Sequence, residues 1–458
     1  MDRFAAVGLL TLACNARVEL GDRGGHAGQT FAEDGSGGGA GAPATGGVSA
    51  ATGGAPTSAG GGVSPVETGG SIAVATGGSA PGTGGAGAGG GNGATGGVAA
   101  GGAVATGGNG AMGGSSTGGV NATGGSAAAI GGSSSVTGPC DIYAAASPAT
   151  PCVAAYSMTR LLNGKYGGPL YQVRKGGSWS ASSGMTGGTF RDIATVDGGY
   201  ADAVAQDEFC TGGTCTVSVL YDQSGKGNDL KVAPSGCYTG SASEPDSESS
   251  ATMKSTIING HKAYGLYMLP HDGYRNNKTT GIPTGSAAQG IYEVADGTHF
   301  GSACCWDFGN ASKDNCNLGT MGALFFGTGF WGKGAGSGPW FMADFETGVW
   351  AGGSGASATV NSDLPAMNVP FAFGILKTNP SNYAIREGNA QAGSLITAYD
   401  GPLPKMLNSQ GGIVLGITED NSNSSQGTFF EGTLTDGRPS DTTDAAIFAN
   451  VQAAKYGQ

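Results

Sequence analysis

From about residue 35 to residue 138 the chain is almost wholly Gly, Ala, Ser, Thr and Val, with ATGG recurring. Such a tract has almost no large apolar side chain to bury, so folding it would not offset the loss of chain entropy. It reads as a disordered tether. Its glycines lack a strict three-residue period, which argues against a collagen triple helix. Of the 458 residues, only those from about 138 onward can build a domain, and that remainder is long enough to bury a full core. The expected organisation is an export signal at 1–14, a Gly/Ala/Ser/Thr-rich linker at 15–137 and one folded domain at 138–458.

Arg3 precedes an apolar run at 4–13 that is too short to span a bilayer as a mature helix, the pattern of an export signal. Leu12-Ala13-Cys14 resembles the end of a bacterial lipobox, in which Cys14 is lipidated after cleavage, although Thr11 and Leu12 depart from the usual residues. Three readings stay open here: lipid anchoring, simple secretion and a misplaced start codon. With an anchor, the tether becomes a spacer holding the domain off a cell surface. The localisation expected is extracellular, with an outer-surface lipoprotein as the variant.

The other eight cysteines all fall in the folded region, and an even count in an exported chain points to disulfides. Local spacing favours Cys210 with Cys215 across a tight loop and Cys140 with Cys152 at the domain's entry. No CxxC pair exists, and His26, His261, His271 and His299 lack ligand spacing, so no metal site is expected.

From Cys140 onward, short apolar or alternating runs are separated by Gly, Asn, Asp and Ser: 170–173, 216–221, 263–268, 323–326, 371–376, 413–417 and 428–434. This pattern predicts an all-β fold, an antiparallel β-sandwich of jelly-roll or concanavalin-like form, with minor helices. One helix is predicted within 152–162. Another follows the cap Pro439-Ser440-Asp441 and runs to 456, with Ile447, Val451 and Ala454 at helical spacing. The net charge is −12, charged residues make up 12% and no basic cluster exists, which excludes nucleic acid as a partner. A dilute acidic surface rich in Trp, Tyr and Asn suits neutral carbohydrate, because sugar faces stack on rings and hydroxyls pair with Asn and Asp.

The stretch WGKGAGSGPWFMADFETGVW, 331–350, carries the first chemical signal. Within it Met342, Asp344 and Glu346 alternate with Phe341, Ala343 and Phe345, so a strand would project Asp344 and Glu346 from one face. Two acids side by side repel each other. Such a pair is tolerated at a cleft edge, where one can share a proton or meet a polar ligand. The competing reading is a solvated outer face.

Upstream lies Cys304-Cys305 in HFGSACCWDFGN, and downstream the run at 413–417 breaks into Asp420-Asn421-Ser422-Asn423 and then GTFFEG. Together with DQSGKGN at 222–228 and GYRNN at 273–277, these stretches resemble the catalytic domain of glycoside hydrolase family 54, the secreted α-L-arabinofuranosidases of fungal B type. The resemblance runs from GPCDIY at Gly138 to AAKY at Tyr456. It implies a cofactor-free, retaining exo-glycosidase that releases terminal α-L-arabinofuranosyl residues from arabinan or arabinoxylan side chains. Such an enzyme needs two carboxyl groups flanking the scissile bond.

The resemblance places the nucleophile on Glu346, the acid/base on Asp420 and a hydroxyl-binding acid on Asp344. Taken alone, Asp420 in DNSN would be an ordinary turn acid. The resemblance also implies a vicinal disulfide, Cys304–Cys305, forming an apolar platform under the arabinofuranose, with Trp331 lining the same subsite; an isolated tryptophan is more often core packing. Cys140–Cys152 and Cys210–Cys215 resemble the family's bridges, which leaves Cys237 and Cys316 to pair by elimination. Thr347 and Gly348 stand where the family has substrate-contacting asparagines, and Glu419 where it has glycine. Fungal members continue into a β-trefoil arabinose-binding module, whereas this sequence stops at Gln458, so weaker binding to polymer is expected unless the tether localises the enzyme. Two alternatives remain: a β-D-xylosidase, and a non-catalytic carbohydrate-binding surface protein. The second would be marked by loss of a carboxyl position, and both are present.

Overall fold

The computed structural model describes residues 136–458 apart from 239, 318–319, 330 and 346–347. The expectations for 1–14, for the linker as far as residue 135, for Cys14 and for Glu346 and Thr347 therefore lie outside the described residues.

Strand pairing builds two antiparallel layers. One runs Ile396–Pro402, Asn382–Asn389, Ala372–Thr378, Gln289–Phe300, Gly427–Asp436 and Cys152–Ser157. The other runs Val349–Trp350, Trp340–Phe345, Gly322–Gly327, Asp307–Ala311, Gly412–Leu415 and Tyr274–Asn276. It continues through Leu230–Val232, Cys215–Leu220, Tyr171–Lys175 and Thr189–Ile193. A hairpin of Ser250–Ile258 and His261–Met268 links the layers, touching Thr216 on one side and Gly427–Phe429 on the other. Its turn is Asn259-Gly260, with φ of 47° and 79°, the left-handed pair that a tight hairpin turn demands and that Asn-Gly supplies with little strain.

The main core lies between the layers, where Ile291, Leu324, Phe326, Phe341, Leu376 and Ile385 are buried together. Burying each such side chain contributes about 1.5–3 kcal/mol. A second core covers the other face of the first layer. There Tyr292, Phe373 and Phe430 pack with Tyr143, from the helix Pro139–Ala145, and with Ile447, Phe448 and Val451 of the helix Asp441–Ala453. Two cores explain why Gln289–Phe300 and Gly427–Asp436 are buried almost throughout instead of alternating.

The predicted runs fall on strands to within a few residues, and the terminal helix starts as expected, with the Ser440 side chain accepting from Thr443 N at 3.1 Å. The helix predicted within 152–162 is a correction. Cys152–Ser157 is a strand, buried at every position and paired with Gly427–Asp436. A short apolar run buried on both faces has no period to tell strand from helix, and its pairing partner decides. Disulfides join Cys140–Cys152, Cys210–Cys215, Cys237–Cys316 and Cys304–Cys305, with Cα separations of 5.4, 5.6, 4.8 and 2.9 Å.

Candidate active site

Trp340–Phe345 sits near one end of the second layer, between Gly322–Gly327 and Val349–Trp350. Phe341 and Phe345 pack into the main core, yet Trp340 and Met342 are buried there too, so the strand is covered on both faces. Asp344 is only 5% exposed, which rules out the solvated-face reading for this acid. Its strand turns back at once: Phe345 N donates to Gly348 O at 2.9 Å. Gly348 is buried, and a Cβ there would stand 2.8 Å from Ser357 Oγ and 3.0 Å from the Trp350 ring. Ser357 and the Trp350 ring would therefore have to shift to admit a side chain at this position.

The vicinal pair faces Asp344. The Sγ of Cys305 and carboxylate oxygens of Asp307 and Asp344 lie within 4.8 Å of one another. Such a trio has metal-site spacing, but the Cys305 sulfur is bonded to Cys304 and offers no thiolate. Cys304 and Cys305 are 3% and 1% exposed. Ser424 N donates to Cys304 O at 3.2 Å, which ties the pair to the loop that carries Asp420. Thr328 N donates to Gly301 O at 2.9 Å and brings in the segment leading to Trp331. Trp331 is half-buried and packs against the main core.

Asp420 leaves the end of the Gly412–Leu415 strand in a turn whose next residue, Asn421, has φ 65°. The Asp420 Oδ1 accepts from Ser422 N at 2.9 Å, the turn geometry its sequence suggested, but the residue is 1% exposed. Glu419 is also buried and accepts from the Thr418 hydroxyl. The loop is anchored by Arg275. Its Nη1 donates to Glu419 O at 2.8 Å, and its Nη2 donates to Ser312 O and Oγ at 2.8 and 2.9 Å. Burial pulls this guanidinium down to about 10, against the charges of Glu419, Asp420, Asp314 and Asp246, so it stays a cation at working pH. Asn421 Nδ2 donates to Pro234 O at 2.5 Å, and Asn423 donates to Asp246. A hollow of about 500 Å³ lies next to this loop, between Arg174, Phe190, Lys231, Pro234 and Asp246; it holds none of the site residues named above.

Two stretches far apart in sequence therefore converge on one buried spot. Asp307 marks it. Burial pushes its carboxyl well above the usual range, and the charges of Asp344, Glu419, Glu293 and Asp420 push it the same way. Sequence reading did not single out Asp307 or Arg275, although both stand inside quoted stretches, CCWDFGN and GYRNN. The DQSGKGN stretch is structural: Asp222 accepts from the backbone N–H of Ala155, Ser224 and Asn228 at 3.0, 2.8 and 3.0 Å.

Residues 139–457 match the family model described as alpha-L-arabinofuranosidase B, catalytic. A probable alpha-L-arabinofuranosidase B of Aspergillus fumigatus is 48% identical over 332 residues, covering 70% of this chain and 63% of the relative. A Trichoderma koningii protein named arabinofuranosidase/B-xylosidase is 46% identical over 329 residues, with coverage of 70% and 63%. A crystal structure of an arabinofuranosidase complexed with arabinofuranosyl-alpha-1,2-xylobiose superposes with a TM-score of 0.64 at 42% identity, covering 70% of this chain and 66% of the other. The chain thus spans a little under two thirds of the length of these relatives. Over its folded part, the chain belongs to glycoside hydrolase family 54, the α-L-arabinofuranosidase B catalytic family.

Proposed function

We propose that the domain is a retaining α-L-arabinofuranosidase that removes terminal arabinofuranosyl residues from arabinan or arabinoxylan side chains. The observation that carries this reading is the convergence of Asp344, the vicinal disulfide and the Asp420 loop on one buried spot. Chemistry of this class needs one carboxylate to attack the anomeric carbon while a second carboxyl group protonates the leaving oxygen. Glu346, the second residue after Asp344, takes the first role. Asp420 takes the second, then removes a proton from the water that releases the sugar. Asp344 receives sugar hydroxyls, and Cys304–Cys305 and Trp331 supply the apolar surface against the ring. Thr347 offers a hydroxyl beside the nucleophile, Gly348 only backbone, and Glu419 lies against the acid/base. The names of the relatives and the arabinofuranosyl ligand of the comparison structure support this substrate class.

The second reading is β-D-xylosidase, favoured by the name of the Trichoderma relative and by the changes at Thr347 and Gly348. Hydrolysis of 4-nitrophenyl α-L-arabinofuranoside against 4-nitrophenyl β-D-xyloside separates the two. Preferred turnover of the arabinofuranoside is expected, preferred turnover of the xyloside would replace the reading, and turnover of neither would leave a carbohydrate-binding protein. We also propose that the protein is exported, a reading supported by its four disulfides. Lipidation at Cys14 would make it a surface protein. Mass spectrometry of the mature N-terminus tests both, since an unmodified, uncleaved N-terminus would reject them.

A further inference from the structure

Asp307 has no role in the reaction as described above, yet it is the most deeply placed acid at the site. It is 0% exposed, and among the described residues neither carboxylate oxygen has a hydrogen-bond partner. Its backbone is fixed on both sides, because Asp307–Ala311 pairs with Gly322–Gly327 and Gly412–Leu415, and Gly416 N donates to Asp307 O at 2.8 Å. The register explains its closeness to Asp344. Asp344 stands opposite Ala323, and Ala323 stands opposite Gly309, two residues along the strand from Asp307. With only alanine and glycine between them, the two carboxyl groups come within 4.8 Å. From its neighbours Asp307 meets Asp344 of Trp340–Phe345, Glu419 and Asp420 of the adjoining loop, and Glu293 of Gln289–Phe300. After burial itself, the charges that act on it most are all acids.

We propose that Asp307 is a positioning residue that holds a proton at working pH and shares it with Asp344. Two carboxylates this close in a dry site cannot both ionise, and one proton between them removes most of the repulsion. The shared proton points the remaining lone pairs of Asp344 outward, where sugar hydroxyls can donate to them. It also lowers the negative charge carried two residues before Glu346 in the sequence. Asp307 itself touches no substrate. The inference rests on the arabinofuranosidase reading only for the sugar that Asp344 receives.

Asp307→Asn keeps the shape and a donor but cannot titrate, whereas Asp307→Ala removes both. On 4-nitrophenyl α-L-arabinofuranoside, Asp307→Ala should raise KM about tenfold with a smaller change in kcat, while Asp307→Asn stays within about threefold of the parent. The pH profile of sugar affinity should separate them further. The parent loses affinity for arabinose at alkaline pH, as Asp307 gives up its proton, and Asp307→Asn does not. Infrared difference spectra between parent and Asp307→Asn should contain the carbonyl stretch of a protonated carboxylic acid, a signal read without any substrate. That band remains readable even if the arabinofuranosidase reading fails. An unchanged KM in Asp307→Ala, an Asp307→Asn as impaired as the alanine variant, or no protonated-acid band would each overturn the proposal. Should the alanine variant fail to fold, the asparagine variant and the infrared band decide alone.

Discussion

Buried acids occur on both sides of the first layer of the sandwich, and they are treated in opposite ways. On the helix-covered side Glu431 and Asp444 each have a cation. Glu431 accepts from Arg160 Nε and Nη2 at 2.6 and 2.7 Å, with the hydroxyls of Tyr456 and Tyr292 at 2.7 and 3.1 Å. Asp444 accepts from Lys377 at 2.6 Å and Arg386 at 2.9 Å. Towards the main core and the site, Glu293, Glu387 and Asp307 are fully buried. Among the described residues no hydrogen-bond partner reaches the carboxylate oxygens of Glu293 and Asp307, while Glu387 has only the Phe341 backbone near it. Burial holds all three well above the usual range. The contrast teaches where stability was given up. The helix face uses charge to lock elements together, and the site end keeps acids that cost stability because protons are wanted there.

The sharpest way to break this comparison is to remove one acid from each side. Asp420→Ala should lower kcat on an arabinoxylan oligosaccharide by about 10²–10⁴-fold, the usual worth of a general acid, with little change in Tm. A much smaller loss on the activated nitrophenyl glycoside in the first, glycosylation step would agree. Glu431→Ala should do the reverse and cost about 3–5 kcal/mol in urea unfolding, because Arg160 is left buried without its counter-charge. The fraction that remains folded should keep its kcat. A catalytic loss without a stability loss in Glu431→Ala would erase the distinction.

Stability against pH sharpens it further. Glu293, Asp307 and Glu387 bind their protons more tightly folded than unfolded, and burial raises Asp272 to about 7. The stability these four groups contribute is therefore fully present at or below the ordinary carboxyl range and is lost as pH rises towards their folded values. Asp207 and Asp441, held below the usual range by hydrogen bonds from Lys262 and Lys377, work in the opposite sense. Thermal unfolding at pH 4.5 and pH 8 should show this decline. Glu293→Gln should reduce it by about 1–2 kcal/mol. A Glu293→Gln variant whose stability changes between the two pH values as the parent's does would mean that Glu293 does not hold its proton in the fold. The smallest effect on stability belongs to the vicinal disulfide, which closes almost no loop. Cys304→Ala with Cys305→Ala should shift Tm by only a few degrees while raising KM for the arabinofuranoside. Peptide mapping that joined either cysteine to Cys237 or Cys316 would remove the basis for that split.

The architecture was largely legible in the sequence because the strands outside the second core keep short runs bounded by turn residues. Asn259-Gly260 is such a boundary, and Ser440 another. The misread helix within 152–162 and the unmarked acids share one cause. Where helices cover a sheet's second face, alternation disappears, and Val153-Ala154-Ala155-Tyr156 carries no period at all. By the same logic, an acid in a strand such as Glu293 or Glu387 reads as solvent-facing, and only the three-dimensional cover reveals that it is buried. The candidate site residues were named by resemblance. Alternation gave Asp344 and Glu346 a shared face, but nothing local linked them to Asp420. That link is made by the pairing of Gly412–Leu415 with Asp307–Ala311 and by the bond from Ser424 to Cys304.

The most direct test of the division of labour is the configuration of the azide product. With added azide, Asp420→Ala acting on 4-nitrophenyl α-L-arabinofuranoside should give arabinofuranosyl azide of retained configuration, because azide intercepts the covalent intermediate on Glu346. Glu346→Ala should give the inverted azide, since azide then attacks from the vacated face. Proton NMR of the two products reads the answer. The opposite pairing of variant and configuration would contradict the assignment of roles, and parent-like turnover in either variant without azide would contradict the site itself.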